Sequence, residues 1–297
     1  MANLKEVRNR IASVTSTQQI TKAMKMVSAA KLRRAQDAIV QMRPYATKLK
    51  EILENLSTSL ESSDGSVYAK VRPVNKVLII AVTSNRGLCG AFNASILRNI
   101  TRLINGEYAA QNKAGNVKVL CIGKKAADLF SKNKSLYFGN HNEIYGNLNF
   151  ETVEPIANEI MRAFSEGEFD KVEVVYNHFK NAAVQIVLNE QLLPIQPPAK
   201  ENSTGKKGKS VDYIFEPSKE EIVKDLIPKS IKIQLYKAIL DSHASEHGAR
   251  MTAMNKATDN AGELIKSLKL SYNKARQAAI TNEILEIVGG ANALKGN

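Results

Sequence analysis

Two long segments of the chain, one near each end, contain almost none of the residues that stop a helix. Residues 4–60 include no glycine, and their only proline is Pro44. After Pro228, residues 229–288 include no proline and only two glycines, Gly248 and Gly262. Helices in globular proteins average about 11 residues, whereas the second segment would form a helix of about 90 Å. We therefore predict two unusually long terminal helices, the first kinked or interrupted just before Pro44.

Apolar residues in the first segment recur at alternating spacings of three and four, which marks one face of a helix. The members of this seam are Leu4, Val7, Ile11 and Val14, and later Leu32, Ala35, Ile39 and Met42. Between them the same spacing falls on the polar residues Gln18, Thr21, Lys25 and Ser28. A displaced apolar stripe runs beside these polar positions through Ile20, Met24 and Val27. This pattern predicts that the seam rotates around the helix, as a stutter would cause.

The second segment has an apolar face of its own. Small residues recur every four positions at Ala249, Ala253, Ala257 and Ala261, and the face continues through Ile265, Leu268, Tyr272, Ala275 and Ala279. Small side chains allow a second helix to approach closely. The two terminal helices can therefore bury their seams on each other as an antiparallel coiled coil.

The middle of the chain has the pattern of an α/β domain. Strands are predicted at 76–83, 117–123, 171–178 and 182–193, with helices at 93–103, 124–131 and 152–164. The predicted fold class is α/β, with a long antiparallel coiled coil of N- and C-terminal helices and an inserted Rossmann-like α/β domain. The predicted division is a coiled-coil helix at 1–60, a globular domain at 67–198, a flexible loop with a foot connection at 199–228, and a second coiled-coil helix at 229–297.

The chain is strongly basic, with 42 Lys and Arg against 29 Asp and Glu, a net charge of +13. Nucleic acid, anionic lipid and acidic protein are the partners that such a charge attracts. The first predicted helix has no aromatic residue before Tyr45 on which a base could stack, and few large apolar residues opposite its lysines. These features favour an acidic protein partner, and a nucleic-acid-binding basic coiled coil is the alternative. No apolar run is long enough to span a membrane and no signal sequence is recognisable, so we expect a cytosolic location.

Two motifs suggest chemistry, and each has a simpler structural reading. Gly87 and Gly90 lie at a strand-to-helix turn, but their spacing fits neither a dinucleotide fingerprint nor a phosphate-binding P-loop. His243, Glu246 and His247 match a zinc-peptidase motif without a third metal ligand nearby. We predict scaffold and packing roles for both motifs, with no catalytic residue, no cofactor and no metal. The cysteines, Cys89 and Cys121, are expected to be buried thiols.

Three long segments resemble the gamma-subunit family of F-type ATP synthases. The first covers Lys5–Val14 and Gln19–Ala35, and the second, Ser84–Asn93, is similar to the family's Arg-Gly-Leu-Cys-Gly signature. The third covers Ala244–Asn260 and Tyr272–Ala291. The resemblance implies the central rotor stalk of a proton-translocating enzyme, without catalytic residues of its own. It also implies alpha, beta and epsilon subunits and a c-ring as partners, no nucleic acid, and a peripheral place on the cytoplasmic face of a bacterial inner membrane.

The resemblance also implies which residues meet those partners. A catch that contacts one beta subunit would consist of Arg276, Gln277, Thr281 and Glu283. The acidic lever of beta would face Met24, Lys22 and Lys25, with Arg250 packed near them. A foot on the c-ring would include Tyr213 and Glu216. The family often has aspartate at the position of Asn85, and it assigns no role to the cationic loop at 197–210.

Overall fold

The computed structural model describes residues 4–60, 67–195 and 219–295. In chain order its helices and strands are α1 (Leu4–Leu60), β1 (Val77–Val82), α2 (Phe92–Asn105), α3 (Ala109–Lys113), β2 (Val117–Ile122), α4 (Lys124–Phe130), β3 (Tyr137–Asn140), α5 (Phe150–Ser165), β4 (Lys171–Phe179), β5 (Gln185–Leu193) and α6 (Lys219–Lys295). The two terminal helices, of 57 and 77 residues, are by far the longest elements.

Both terminal helices continue through a proline at which the sequence predicted a boundary. α1 is not interrupted at Pro44, and both Pro44 and Val40 are exposed, so water can hydrate the carbonyl oxygen of Val40 that lacks its helical donor. α6 begins at Lys219 rather than after Pro228. Ile227 and Ile231 flank that proline and are 2% and 0% exposed, so packing into the core maintains the helix across it. Of the two alternatives predicted for α1, the interruption is therefore wrong and the kink stays a prediction, and the predicted start of the last helix at residue 229 is wrong.

The five strands form one sheet in the order β3-β2-β1-β4-β5. The first four strands of that order run parallel, and β5 is antiparallel to its neighbour β4. All six residues of the central strand, Val77–Val82, are fully buried. A continuous apolar strand is expected where both faces of a parallel sheet are covered by helices.

A hydrophobic core lies on each face of the sheet. On one face, α5 and α6 pack against the strands through residues such as Ile160, Ile231 and Leu235. On the other face, α2 and α4 contribute Ile96 and Ala126 to a second core. The sheet with helices on both faces confirms the predicted Rossmann-like α/β architecture.

The chain divides into two compact units, and both terminal helices contribute to each. One is the paired-helix unit, residues 1–29 with residues 250–297, and the other is the α/β unit, residues 30–249. In the paired-helix unit, Gln18 contacts Thr258 while Lys25 contacts Asn255, so α1 and α6 run antiparallel as predicted. None of the described helices carries an apolar stretch that is long enough to cross a membrane.

Candidate partner-contact surfaces

A set of polar side chains lies between α1 and α6 within the paired-helix unit. The two threonine hydroxyls of Thr21 and Thr258 are 2.8 Å apart. The ammonium of Lys25 donates to Oδ1 of Asn255 at 2.6 Å, and the amide of Gln18 donates to the carbonyl oxygen of Thr258 at 3.4 Å. We call Gln18, Thr21, Lys25, Asn255 and Thr258 the polar layer. Its members bond directly across the interface, whereas Ser28, the remaining polar residue of the α1 seam, donates to the carbonyl oxygen of Met24 on its own helix.

The polar layer corrects the prediction that the α1 seam rotates. Thr21 and Ser28 are 8% and 3% exposed, whereas Ile20 and Val27 are 58% and 57% exposed. The spacing of three and four therefore continues unbroken. Ile20 and Val27 of the displaced stripe face outward, and Met24 is half-buried. Hydrogen bonds across the interface allow polar residues to occupy the seam, which a reading from hydrophobicity alone missed. The unbroken spacing itself was the signal that could have found them.

The four residues expected to face an acidic lever differ in their exposure. Lys22 is exposed, and Met24 and Lys25 are half-buried. The ammonium of Lys25 already has an acceptor in Asn255. Arg250 is 7% exposed, so its side chain lies beneath the surface. Of the three cations in this set, Lys22 presents the most accessible charge.

The four residues of the expected catch lie together on the last part of α6. Arg276, Gln277, Thr281 and Glu283 are all exposed. The hydroxyl of Thr281 donates to the carbonyl oxygen of Gln277 at 2.9 Å, one turn earlier on the same helix. The remaining side-chain groups of this set project from a regular helix, so their relative positions are fixed by helix geometry.

Beyond Ala275, which is half-buried, every residue of α6 from 276 to 291 is exposed. This stretch, the tip, also carries large apolar side chains that are 48–66% exposed: Ile280, Ile284, Leu285, Ile287 and Val288. Exposed apolar side chains concentrated in one segment indicate a surface that another protein covers. Ala279, which the sequence placed on the buried face, is exposed as part of the tip.

The expected foot residues, Tyr213 and Glu216, and the cationic loop at 197–210 lie outside the described residues. Their roles stay predictions.

The glycine turn before α2 forms a closed network of hydrogen bonds. The hydroxyl of Ser84 donates to the carbonyl oxygen of Arg86 at 2.6 Å, and the amide of Asn93 donates to the same hydroxyl at 2.8 Å. The amide nitrogen of Asn85 donates to the carbonyl oxygen of Asn142 at 2.8 Å, while its Oδ1 accepts from the backbone N–H of Lys124 at 2.9 Å. Asn85 thus uses both a donor and an acceptor, and these bonds act as a scaffold for the loops around the turn.

The histidines of the zinc-like motif pack as rings inside the α/β unit. The rings of His243 and His247 meet edge to face with centroids 4.5 Å apart, and His243 stacks on Tyr145 at 5.6 Å. Burial, together with the charge of Glu246, raises the pKa of Tyr145 well above its ordinary value. Its protonated hydroxyl donates to the carbonyl oxygen of Thr83 at 2.8 Å. Within the described ranges, no group of three or more metal-binding side chains is present.

Comparison with known proteins gives matches over nearly the whole chain. The sequence profile of the family described as ATP synthase matches residues 3–294. The ATP synthase gamma chain of Flavobacterium johnsoniae is 61% identical over 296 residues, and that of Christiangramia forsetii is 58% identical over 296 residues, with full coverage of both chains in each case. A chain of the mitochondrial ATP synthase of Euglena gracilis has the same fold, with a TM-score of 0.70 at 23% identity over 98% of this chain and 94% of that one.

Proposed function

The chain belongs to the family of ATP synthase gamma chains, and on this premise we propose that it is the central rotor stalk of a proton-translocating F-type ATP synthase. It couples rotation of a c-ring to the conformational changes by which beta subunits make and hydrolyse ATP. The nucleotide chemistry belongs to the alpha and beta subunits, and the stalk contributes no catalytic residue.

The observation that carries this proposal is the exposed tip of α6 at the end of an antiparallel helix pair. Residues 276–291 are exposed throughout, and they combine the polar catch with large apolar side chains. A helix end with this composition requires a surrounding partner, because its apolar surface would otherwise remain in water. A hexamer of alternating alpha and beta subunits supplies such an environment on every side of the tip.

The catch gives the rotor defined stopping positions. The guanidinium of Arg276 can form paired, charge-assisted hydrogen bonds with a carboxylate, and Gln277 adds a donor and an acceptor one residue later. Such bonds are short-ranged and directional, so they hold at particular angles of rotation. Thr281 and Glu283 extend the same polar surface toward the end of the helix. The apolar residues of the tip form few directional bonds, so they permit turning between these positions.

The surface around Lys22 interacts with the acidic levers of the beta subunits. Residues 1–50 carry many basic side chains and only two acidic ones, Glu6 and Asp37. Attraction between this cationic helix and an acidic lever is broad and acts over about 8–10 Å at physiological salt. Met24 and Lys25 border the contact, and Arg250, which is 7% exposed, is its most buried member. Because the surface is different on each side of the helix pair, each orientation offers the three beta subunits different contacts.

The stalk also connects to the membrane sector. Tyr213 and Glu216 form the foot on the c-ring, and the α/β unit binds the epsilon subunit. The chain is then a peripheral protein on the cytoplasmic face of a bacterial inner membrane, which it reaches only through the c-ring.

Reconstitution tests the proposal. Purified alpha and beta subunits of the same source are mixed with the full-length chain, and ATP hydrolysis and complex size are measured. We expect an ATPase-active complex with one copy of the chain per three beta subunits. The proposal is rejected if no active complex forms under conditions in which an established gamma subunit restores activity to its own alpha and beta subunits.

A further inference from the structure

We propose that the polar layer fixes the axial register of α1 against α6, and so positions the partner-facing residues of the two helices relative to each other. The layer joins Thr21 to Thr258 and Lys25 to Asn255, with hydrogen bonds of 2.8 and 2.6 Å. Both bonds cross from one helix to the other, and both depend on the side chains lying at the same height along the pair.

The apolar parts of the seam do not fix the register by themselves. Apolar residues repeat every seven positions on both helices, so a slide by one heptad, about 10.5 Å, places apolar residues opposite apolar residues again. Burial of apolar surface is non-directional and distinguishes such alignments weakly. In addition to any constraint from the continuation of both helices into residues 30–249, a feature within the paired-helix unit that only one alignment satisfies would therefore select the register.

The polar layer supplies that feature. After a slide of seven residues, Thr21 would lie opposite Ile265 instead of Thr258, and Lys25 would lie opposite Gly262 instead of Asn255. Neither replacement offers a side-chain acceptor. Because Thr21 is 8% exposed, water would not readily replace the lost cross-helix partner, and the hydroxyl would keep only the carbonyl oxygen of Gln18, 3.0 Å away on its own helix. Polar residues buried in coiled coils specify register in this way, at some expense of stability.

Further bonds hold the α6 side of the layer in place. The hydroxyl of Thr258 lies 2.8 Å from the carbonyl oxygen of Met254, one turn earlier. When Thr258 donates its proton to that carbonyl, its oxygen accepts from Thr21. The amide nitrogen of Asn255 donates to Asp259 at 3.2 Å, which leaves Oδ1 directed at Lys25. The acceptors are therefore oriented before the helices meet.

The register has a consequence for the surfaces of the pair. It determines the distance along the axis between Lys22 on α1 and Arg276 on α6, both exposed and both within the paired-helix unit. A slide by one heptad would move one of these residues by about 10.5 Å relative to the other. The effect of that distance on contacts with beta subunits rests on the proposed function. The inference that the polar layer fixes the register does not.

The experiment measures the register in the isolated full-length chain by the distance between two spin labels. The labels are placed at the exposed residues Ser16 and Lys274, after Cys89 and Cys121 have been replaced by alanine. Ser16 and Lys274 lie at different heights along the pair, so a slide changes their separation directly. The parent chain is expected to give one distance.

The apolar-layer variant combines Thr21→Val, Lys25→Leu, Asn255→Leu and Thr258→Val. We expect a second distance, shifted by about 10 Å, in a substantial fraction of its molecules. The matched control, Thr21→Ser with Thr258→Ser, keeps both hydroxyls and is expected to give one distance. If the four-residue variant is unfolded by circular dichroism, the two-residue variant Thr21→Val with Thr258→Val decides, with a smaller second population expected.

A single, unchanged distance in the folded apolar-layer variant would overturn the proposal. A layer that only adds stability would change the unfolding temperature and leave the distance as it was. Because the measurement uses the chain alone, failure to assemble with alpha and beta subunits has no bearing on its outcome.

Discussion

The ammonium nitrogen of Lys232 on α6 lies 2.6 Å from the carboxylate oxygen Oε1 of Glu154 on α5. The lysine side chain is 17% exposed and the glutamate side chain 40% exposed, so the pair is partly shielded from water. We expect Lys232→Met to lower the free energy of unfolding by about 1 kcal/mol, the upper end for exposed pairs. Urea unfolding measures the change. The control is Lys125→Met, whose more exposed pair with Asp128 at 3.5 Å should contribute nothing measurable. Equal losses of unfolding free energy in the two variants would refute a stabilising role for the Lys232–Glu154 pair.

Gly123, directly after β2, is a position that only glycine fits. Its φ is +103°, and a Cβ atom there would lie 2.1 Å from the carbonyl oxygen of Thr83. Gly123→Ala is expected to lower the free energy of unfolding by about 3 kcal/mol or more, because the ends of β1 and β2 must separate. Gly115→Ala is the control, since Gly115 also has a positive φ, +74°, but has open space around it. A loss of about 1 kcal/mol is expected there. Chemical denaturation measures both changes. Equal losses of unfolding free energy in the two variants would contradict the proposed clash at Gly123.

The hydrogen bonds of Asn85 predict the effect of Asn85→Asp. The carboxylate would keep the bond from Lys124 but lose the donor to Asn142, and its charge would face that carbonyl oxygen. We expect a loss of about 1–3 kcal/mol at pH 7.

In the same variant, repulsion from the carbonyl oxygen of Asn142 should raise the pKa of the new carboxyl. The loss of unfolding free energy should therefore depend on pH. Such a group binds its proton more tightly in the folded chain, so the loss should shrink as the pH falls toward the ordinary pKa of about 4. The control is Asn133→Asp. The Oδ1 of Asn133 accepts hydrogen bonds from the backbone N–H and the hydroxyl of Ser135, and a carboxylate oxygen can accept the same two bonds. A pH-independent loss would contradict this account.

The catch residues are expected to affect turnover more than assembly. Arg276→Ala or Gln277→Ala removes side-chain hydrogen bonds that the proposed contact with a beta subunit uses at defined angles. We expect ATP hydrolysis by the assembled complex to fall about 10-fold, the effect of losing about 1.4 kcal/mol. Complex yield on gel filtration should stay within about twofold. Lys274→Ala, also exposed but outside the proposed catch, is the control. Unchanged turnover in both catch variants would remove them from the mechanism.

Much of the fold could be predicted from the sequence because the relevant signals are local. The scarcity of glycine and proline predicted both terminal helices, and the apolar run at Val77–Val82 predicted the central strand. By contrast, β3 is only four residues long and half-exposed, and it contains Gly139. It exists because β2 offers its backbone at the edge of the sheet, which no local pattern shows. Packing of Ile227 and Ile231 across Pro228 is likewise a tertiary effect.

The partner-facing residues were predicted less completely. Exposure of Arg276, Gln277, Thr281 and Glu283 agrees with a contact role, but the contact itself stays a prediction because it depends on another chain. The predicted contact of Lys25 with an acidic lever stays a prediction, and the structure adds that its ammonium is bonded to Asn255 across the helix pair. Hydrophobicity alone predicts that a charged residue lies on an exposed face of the helix. A cross-helix bond can be predicted only when the residue opposite the charge is known.

Rotation of the chain inside its assembled complex tests the central claim most directly. The alpha and beta subunits are fixed to a surface, and a bead is attached to a Lys132→Cys variant, since Lys132 is exposed in the α/β unit. With ATP present, the account predicts that the bead turns in one direction and pauses at three positions per turn, one for each beta subunit. Arg276→Ala should lengthen the pauses, in line with the expected loss of about tenfold in turnover, without reversing the direction. A bead that stays at a fixed angle while the complex hydrolyses ATP at its normal rate would contradict the account.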